Sequence, residues 1–364
     1  MGLTSVLSRY IGRQFLLWFT SLLLVLLGLI LLIDTVELLR RAANRPHVTL
    51  DLVLQMALLK LPGIAQQLLP FAVLFSAMFT FWKLTRSQEL VVARAIGVSV
   101  WRFSAPVLAG AALIGLISFT VLNPIGSTLV ARYQKMEDKY LRGNAKGMEI
   151  SRSGLWLRQQ ADNRQFLFHA GQVVLPRNEL RRAMILVFDA DGAYVGRFDA
   201  PVVRLDKGRW RLRNAWYNEP DRSPTLYKLY DIPTDFRLEQ IEDHFAPPQT
   251  ISFWKLPRFI RTLEETGFSA IRHRLHWQSL MAQPFIFCAM VLFAAAFSLR
   301  LPRRGGTLLM ISAGIATGFA LFVATDVILT IGMTEAIPVS MAAWTPAVIS
   351  LLFASTILLH SEDG

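Results

Sequence analysis

A single cysteine, Cys288, occurs in 364 residues. No disulfide can form within the chain, and no Cys/His cluster suggests a metal site. Charge is sparse: 18% of residues are Asp, Glu, Lys or Arg, against about 25% in an average soluble chain. The motifs of common chemistries are also missing. There is no GxxxxGKS or GxxxxGKT, so the chain is not expected to hold ATP phosphates in a P-loop, and there is no HExxH, GxSxG or CxxC. The histidines at 47, 169, 244, 273, 276 and 360 are scattered, and His273 with His276 reads as an interfacial pair rather than a metal site. Asp189 and Asp191 beside Gly192 read as a hairpin turn rather than a glycosyltransferase metal motif. No nucleophile comes with a base. The chain is not expected to be an enzyme, and no cofactor of its own is expected.

What is abundant is apolar sequence: 53% of residues are hydrophobic and the mean hydropathy is +0.40. These residues come in blocks long enough to cross a bilayer. Six spans are expected, at about 15–33, 52–82, 103–122, 277–299, 307–331 and 341–359. The second is overlong and interrupted by Pro62 and Pro70, which predicts a kinked or tilted helix. Arg9 and Arg13 precede the first span, no small-x-small cleavage pattern closes it, and it reads as a retained signal anchor. Two ionisable residues fall inside spans. Lys60 and Asp326 both lie toward the outer interface, where Lys60 can snorkel. A proton-coupled transporter would need acids nearer the midplane.

The stretch 123–274 differs in character, holding 25 of the 38 Lys and Arg and 18 of the 26 Asp and Glu. Its mixed, modestly basic charge suits an anionic lipid or glycolipid surface better than nucleic acid. Gly126–Gly143 has helical spacing and continues the third span outward. From Gly154 to about Phe236 the pattern alternates in Leu155/Leu157, Phe166/Phe168, Ile185/Val187, Val202/Leu205 and Trp210/Leu212, predicting an antiparallel sandwich or roll. Pro257–Thr266 then reads as an amphipathic helix. The expected domains are 1–122 with three spans, 123–274 with the β-rich domain at about 150–245, and 275–364 with three more spans and a short tail.

Orientation follows from basic residues in the short loops. Arg9, Arg13, Lys83, Arg86, Arg94, Arg102, Arg300, Arg303 and Arg304 lie on one side, against Arg40, Arg41 and Arg45 on the other. The positive-inside rule then puts both termini in the cytoplasm and the large domain outside. Asp34, Glu37, Arg40 and Arg41 follow the first span, and a continuing helix would place Glu37 and Arg41 on one face. They read either as interfacial salt bridging or as a basic collar for an anionic headgroup. Between the second and third spans lies Leu84–Trp101. Thr85 and Gln88 have capping-box spacing and Gly97 is a plausible terminator, enclosing about eleven residues, roughly 16 Å of helix, too short to span. This stretch reads either as a connecting loop or as a surface helix that docks another protein.

A resemblance covers nearly the whole chain. LSRYIGRQF (7–15), TVELLRRA (35–42), SQELVVARAIGVS (87–99), MAQPF (281–285) and IPVSMAAWTPAVISLL (337–352) resemble the LptF/LptG permeases of the lipopolysaccharide-exporting ABC transporter, with the opening and C-terminal segments leaning to the LptG branch. The resemblance implies an α-helical polytopic membrane protein, 3+3 helices around an inserted periplasmic β-jellyroll. It implies a coupling helix at about 86–96, with Arg86, Glu89, Leu90, Arg94 and Gly97 at the ATPase contact. Glu37, Arg40 and Arg41 would face the phosphorylated head of lipopolysaccharide, while Asp34 stands where some relatives carry a basic residue. The implied partners are a second LptF/LptG permease, two LptB ATPases that bind the ATP and Mg, and the single-span LptC. Implied location is the bacterial inner membrane. A lipoprotein-releasing or FtsX-like ABC permease is the near alternative, but it has four spans with its main external domain after the first. A lipid-transferring membrane enzyme and a non-transporting scaffold are the other classes.

Overall fold

The computed structural model describes residues 3–43, 48–89, 92, 95, 99–142, 148–151, 154–161, 164–174, 179–190, 192–206, 208–220, 222–234, 246–265, 268–298 and 306–363. Two compact units divide the chain, one holding the long helices with residues 248–254, the other holding the sheet with residues 255–270.

In the helical unit, α1 is Leu3–Ala42 and α2 is Leu50–Arg86. Next, α3 (Val100–Ile117) passes through a π-turn, Ser118–Leu122, into α4 (Asn123–Glu137). In the same unit, Ile271–Ser298, Gly306–Met333 and Val339–Asp363 form the second set of long helices. Among the described residues, six helices are long and apolar enough to cross a membrane. They run beyond the apolar blocks: α1 has 40 residues, about 60 Å against a hydrocarbon core of about 30 Å. Pro62 and Pro70 both lie inside an uninterrupted α2.

The π-turn has a chemical reason. Pro124 has no N–H to give to the carbonyl of Thr120, four residues earlier. Trp254 supplies the missing donor, its indole N–H lying 3.1 Å from Thr120 O. Asn123 Oδ1 also accepts the N–H of Phe253 at 2.8 Å. Residues 253–254 thus satisfy the helix where its own hydrogen bonding fails.

Packing inside this unit is uneven. The helix Ile271–Ser298 buries 61% of its most apolar window and α2 50%, whereas α1 buries 6% and the helix of residues 306–333 buries 11%. The first two therefore form the centre, with Leu74, Phe81, Phe103, Phe287 and Phe293 fully buried between α2, α3 and Ile271–Ser298. Gly115 of α3 permits a close approach of backbones, since a Cβ there would lie 2.5 Å from Pro284 Cα. The other two helices leave Leu24, Val25, Leu29, Phe319 and Phe322 exposed, an apolar surface for lipid or another membrane protein.

The second unit is one antiparallel sheet of seven strands paired in sequence order: β1 (Met148–Ser151), β2 (Gly154–Ala161), β3 (Arg164–Val174), β4 (Glu179–Phe188), β5 (Tyr194–Asp206), β6 (Arg209–Asn218) and β7 (Thr225–Pro233). The sheet rolls. Gln159 of β2 accepts the Trp210 indole N–H of β6 at 3.0 Å and donates to Pro233 O of β7 at 3.0 Å. In a flat sheet β2 and β6 would stand about 19 Å apart. Leu157, Phe166, Phe168, Ile185, Val187, Trp210 and Leu212 all fill the interior. The expectation for β5 was displaced: Val203 is buried, while Val202 and Leu205 are half-buried.

That displacement has a cause. Gly171, Arg182, Pro201, Asn214 and Lys228 all fall between paired positions of their neighbouring strands. Together they form a crease across five strands, and in β4, β5 and β6 the inward phase slips by one residue there, from Leu180 to Ala183, Ala200 to Val203 and Leu212 to Ala215. Arg182 and Asn214 take φ of 52° and 50° there, a left-handed conformation that suits Asn and Gly far better than branched side chains. The two-residue period resumes beyond the crease with the same face inward. Outside the interior, Arg211 bridges Asp231 at 3.3 Å and Asp206 at 2.8 Å, and the Asp231 hydrogen bond raises its pKa above the usual guanidinium range.

Two substitutions test this account. Gln159→Leu leaves the Trp210 N–H and Pro233 carbonyl without partners and is expected to destabilise the sheet by about 2–3 kcal/mol. Asn214→Val is expected to lose about 1–2 kcal/mol while Asn214→Gly holds wild-type stability. Thermal unfolding of the solubilised protein, followed by tryptophan fluorescence, reads both.

Candidate functional site

The C-terminal end of α1 carries the first cluster. Because the helix runs past its apolar run to Ala42, Asp34, Glu37, Arg40 and Arg41 are presented on a rigid scaffold. Leu38, Ala42, Val53, Met56 and Ala57 pack beneath them with Tyr133 of α4, fixing α1 against α2 and α4. Three ion pairs lie beside this packing, two of them between helices. Arg41 pairs with Glu37 one turn back, as the i,i+4 spacing predicts. Arg41 Nη1 also lies 3.5 Å from Glu137 Oε1 of α4. Lys60 of α2 pairs with the buried Asp34, and the Tyr133 ring lies 5.7 Å from the Lys60 ammonium.

The basic collar is thus largely engaged by the chain's own acids. Arg40 differs: it is exposed and has no ion-pair partner among the described residues. Lys60 snorkels to an acid on the neighbouring helix, not only to the interface. Asp326 is exposed on the helix of residues 306–333. Sequence reasoning missed Glu137, Tyr133 and the Asp34–Lys60 pair. One signal was available: an acid at the end of one span and a lysine inside the next invite pairing, because an unpaired charge at that depth is expensive.

The second cluster follows α2. Thr85 does not start a new helix. It stays in the last turn of α2, where its hydroxyl donates to Phe81 O at 2.8 Å and lies 3.3 Å from Ser298 O. The capping-box expectation is corrected accordingly. Arg86 also belongs to α2, exposed and lying 5.3 Å from the Trp82 ring centroid. The chain breaks at Gln88, which has φ of 60°, and the next helical hydrogen bond runs from Val92 N to Gln88 O at 3.0 Å. Glu89 is half-buried and accepts the Ser87 hydroxyl at 2.8 Å. Val92 is 62% exposed, so an apolar side chain faces outward beside Glu89. Leu90, Arg94 and Gly97 lie outside the described residues.

The remaining sequence candidates are structural. Asp189 O accepts Gly192 N and Asp189 Oδ1 accepts Ala193 N at 2.8 Å, closing the β4–β5 hairpin with Gly192 at φ 83°. Among the described residues no group of His, Cys, Asp and Glu is arranged to hold a metal.

Side chains of this kind can pair with one another and bind charged groups. Among the described residues, six membrane-length helices with open apolar flanks and charge concentrated at their ends describe a polytopic membrane protein. The class narrows to a family. Residues 9–360 match the family described as lipopolysaccharide export system permease LptF/LptG, and the chain belongs to it. It is similar to the lipopolysaccharide export system permease protein LptG of Haemophilus influenzae, 24% identical with 99% of each chain covered. It is also similar to the LptG of Escherichia coli K12, 22% identical over 98% of this chain and 99% of that one. As a family member it is a multi-pass inner-membrane permease subunit of the lipopolysaccharide export system, which works with a paired permease.

Removing one partner of a buried ion pair costs more than removing both. Lys60→Met, which strands Asp34, is expected to destabilise the protein by about 2 kcal/mol, below the fully buried case because Lys60 is partly exposed. The double variant Asp34→Asn/Lys60→Met is expected to recover most of that loss. Unfolding midpoints of the four proteins in a double-mutant cycle check it.

Proposed function

We propose that this chain is the LptG-type half of a lipopolysaccharide-extracting ABC transporter. It pairs with an LptF-type permease, is driven by two LptB ATPases that hold the ATP and Mg, and passes its lipid to the single-span LptC. The observation that carries this reading is the family match over residues 9–360. Nine short-loop basic residues on the side of both termini against three on the other support cytoplasmic termini and a periplasmic β domain.

In this reading lipopolysaccharide enters from the outer leaflet at the end of α1. Arg40 and Arg41 attract its phosphates, and guanidinium binds phosphate oxygens through paired, charge-assisted hydrogen bonds. Its acyl chains lie along the exposed apolar faces of α1 and the helix of residues 306–333. The apolar interior of the rolled sheet, built on Phe166, Phe168 and Trp210, receives those chains next.

Power enters at the segment after α2. The break at Gln88 frees Glu89 and Val92 from α2 and turns a carboxylate and an apolar side chain toward a partner. Arg86, Glu89, Leu90, Arg94 and Gly97 form the ATPase-coupling stretch. Closure of the ATPases moves it, and the end of α2 is tied to the helix Ile271–Ser298 because the Thr85 hydroxyl donates to Ser298 O and the Ser298 hydroxyl donates to Met78 O. A cavity between the paired permeases is thereby squeezed.

Two experiments test the two ends. Glu89→Lys is expected to detach or uncouple the ATPase while the permease still folds; co-purification and ATP turnover of the variant complex measure it, and normal values for both refute the assignment. Arg40→Glu with Arg41→Glu is expected to reduce lipopolysaccharide crosslinking about tenfold, near 1.4 kcal/mol, with assembly intact.

A further inference from the structure

Arg41 does not offer a free guanidinium. Glu37 holds it from its own helix, and Glu137 reaches it from α4 at 3.5 Å. The two partners differ in setting. The Glu137 side chain is 11% exposed and that of Glu37 39%. One flank of the cation therefore faces a carboxylate held within the protein, and the other faces a carboxylate open to exchange with solvent. Carboxylates and phosphates engage the planar guanidinium fork in the same way, through parallel charge-assisted hydrogen bonds. The Glu137 carboxylate, 3.5 Å from Arg41 Nη1, stands on the side from which a phosphate oxygen would pair with it.

We propose that Glu137, helped by Glu37, masks Arg41 as an internal stand-in for phosphate, so that a phosphorylated lipid headgroup binds there only by displacing the carboxylate. The proposal rests on the assignment of Arg40 and Arg41 to the lipopolysaccharide headgroup and adds how that site discriminates. Arg40, exposed and unpaired among the described residues, makes the first contact. Binding at Arg41 is then an exchange of anions. A phosphate monoester carries about −1.5 to −2 near neutral pH and outcompetes a single carboxylate. The phosphodiester of a bulk phospholipid, with one charge spread over its oxygens, does not. Exchange also has a mechanical consequence, because the Arg41–Glu137 contact joins α1 to α4. A bound headgroup removes that contact and loosens α1 from the helix beside it.

The test uses the whole transporter complex in nanodiscs, with lipopolysaccharide and its enzymatically dephosphorylated form as probes. Glu137→Gln keeps the shape of the side chain and removes the competing charge. It is expected to tighten binding of the phosphorylated probe about fivefold, the equivalent of ~1 kcal/mol. Binding of the dephosphorylated probe is expected to stay unchanged. Excess phosphatidylglycerol is expected to compete better against the variant than against the wild type. Unchanged or weaker binding of the phosphorylated probe overturns the proposal, and so does an equal gain for both probes. Arg41→Gln separates this from the site assignment itself. If that variant binds the phosphorylated probe normally, the assignment fails; if it binds weakly while Glu137→Gln is flat, only the exchange fails. Should Glu137→Gln impair assembly, Glu37→Gln on the open flank provides the same reading, with a smaller gain expected.

Discussion

A polar group in hydrocarbon must find a partner or remain costly, and the helical unit is arranged around that requirement. The hydroxyls of Thr80, Thr85, Thr325 and Thr356 each donate to the carbonyl four residues earlier in their own helix. Where Pro124 breaks the ladder, the Trp254 indole takes the carbonyl left over. Asp34, at the end of the apolar run of α1, is buried and paired to Lys60 of α2. That pair, with Arg41 and Glu137 beyond it, ties α1 to α2 and α4 at one level. The same tie sets the charge available to a ligand, since each cation used internally is one less presented outward.

Packing density then separates what holds from what moves. The helix Ile271–Ser298 is interlocked with α3 where Gly115 meets Pro284 and packs with α2 through buried phenylalanines, which resists relative sliding. By contrast, α1 and the helix of residues 306–333 leave long apolar faces open. A membrane protein with a densely packed centre and two flanking helices that keep apolar faces open suits a permease whose flanks meet a lipid. Thr85 and Ser298, bonded across the ends of the two central helices, put the break at Gln88 in mechanical contact with that load-bearing core.

Much of this was legible in the residues. The apolar blocks predict six helices, and two-residue alternation marks Leu157, Phe166, Phe168, Val187 and Trp210 as interior positions, where the structure buries them. The misplacement of Val202 and Leu205 has a definite origin: a crease through Pro201 slips the inward phase while the strand register is kept, and such a slip leaves no reliable mark in a single strand's pattern. Thr85 was misread because Thr-x-x-Gln spacing looks the same in the last turn of one helix and at the cap of the next. The Glu37–Arg41 pair was readable from i,i+4 spacing, but Asp34–Lys60 and Arg41–Glu137 join different helices and depend on tertiary packing. Local spacing carries no information about such partners.

The central claim is that this chain turns a partner's ATP hydrolysis into movement of lipopolysaccharide. The most direct measurement is ATP-dependent transfer of lipopolysaccharide from proteoliposomes holding the co-purified complex onto a soluble bridge protein. Transfer that requires ATP and falls away when the break after α2 is disabled is the result predicted. Sustained ATP hydrolysis by a complete complex with no lipopolysaccharide reaching the bridge protein would contradict it.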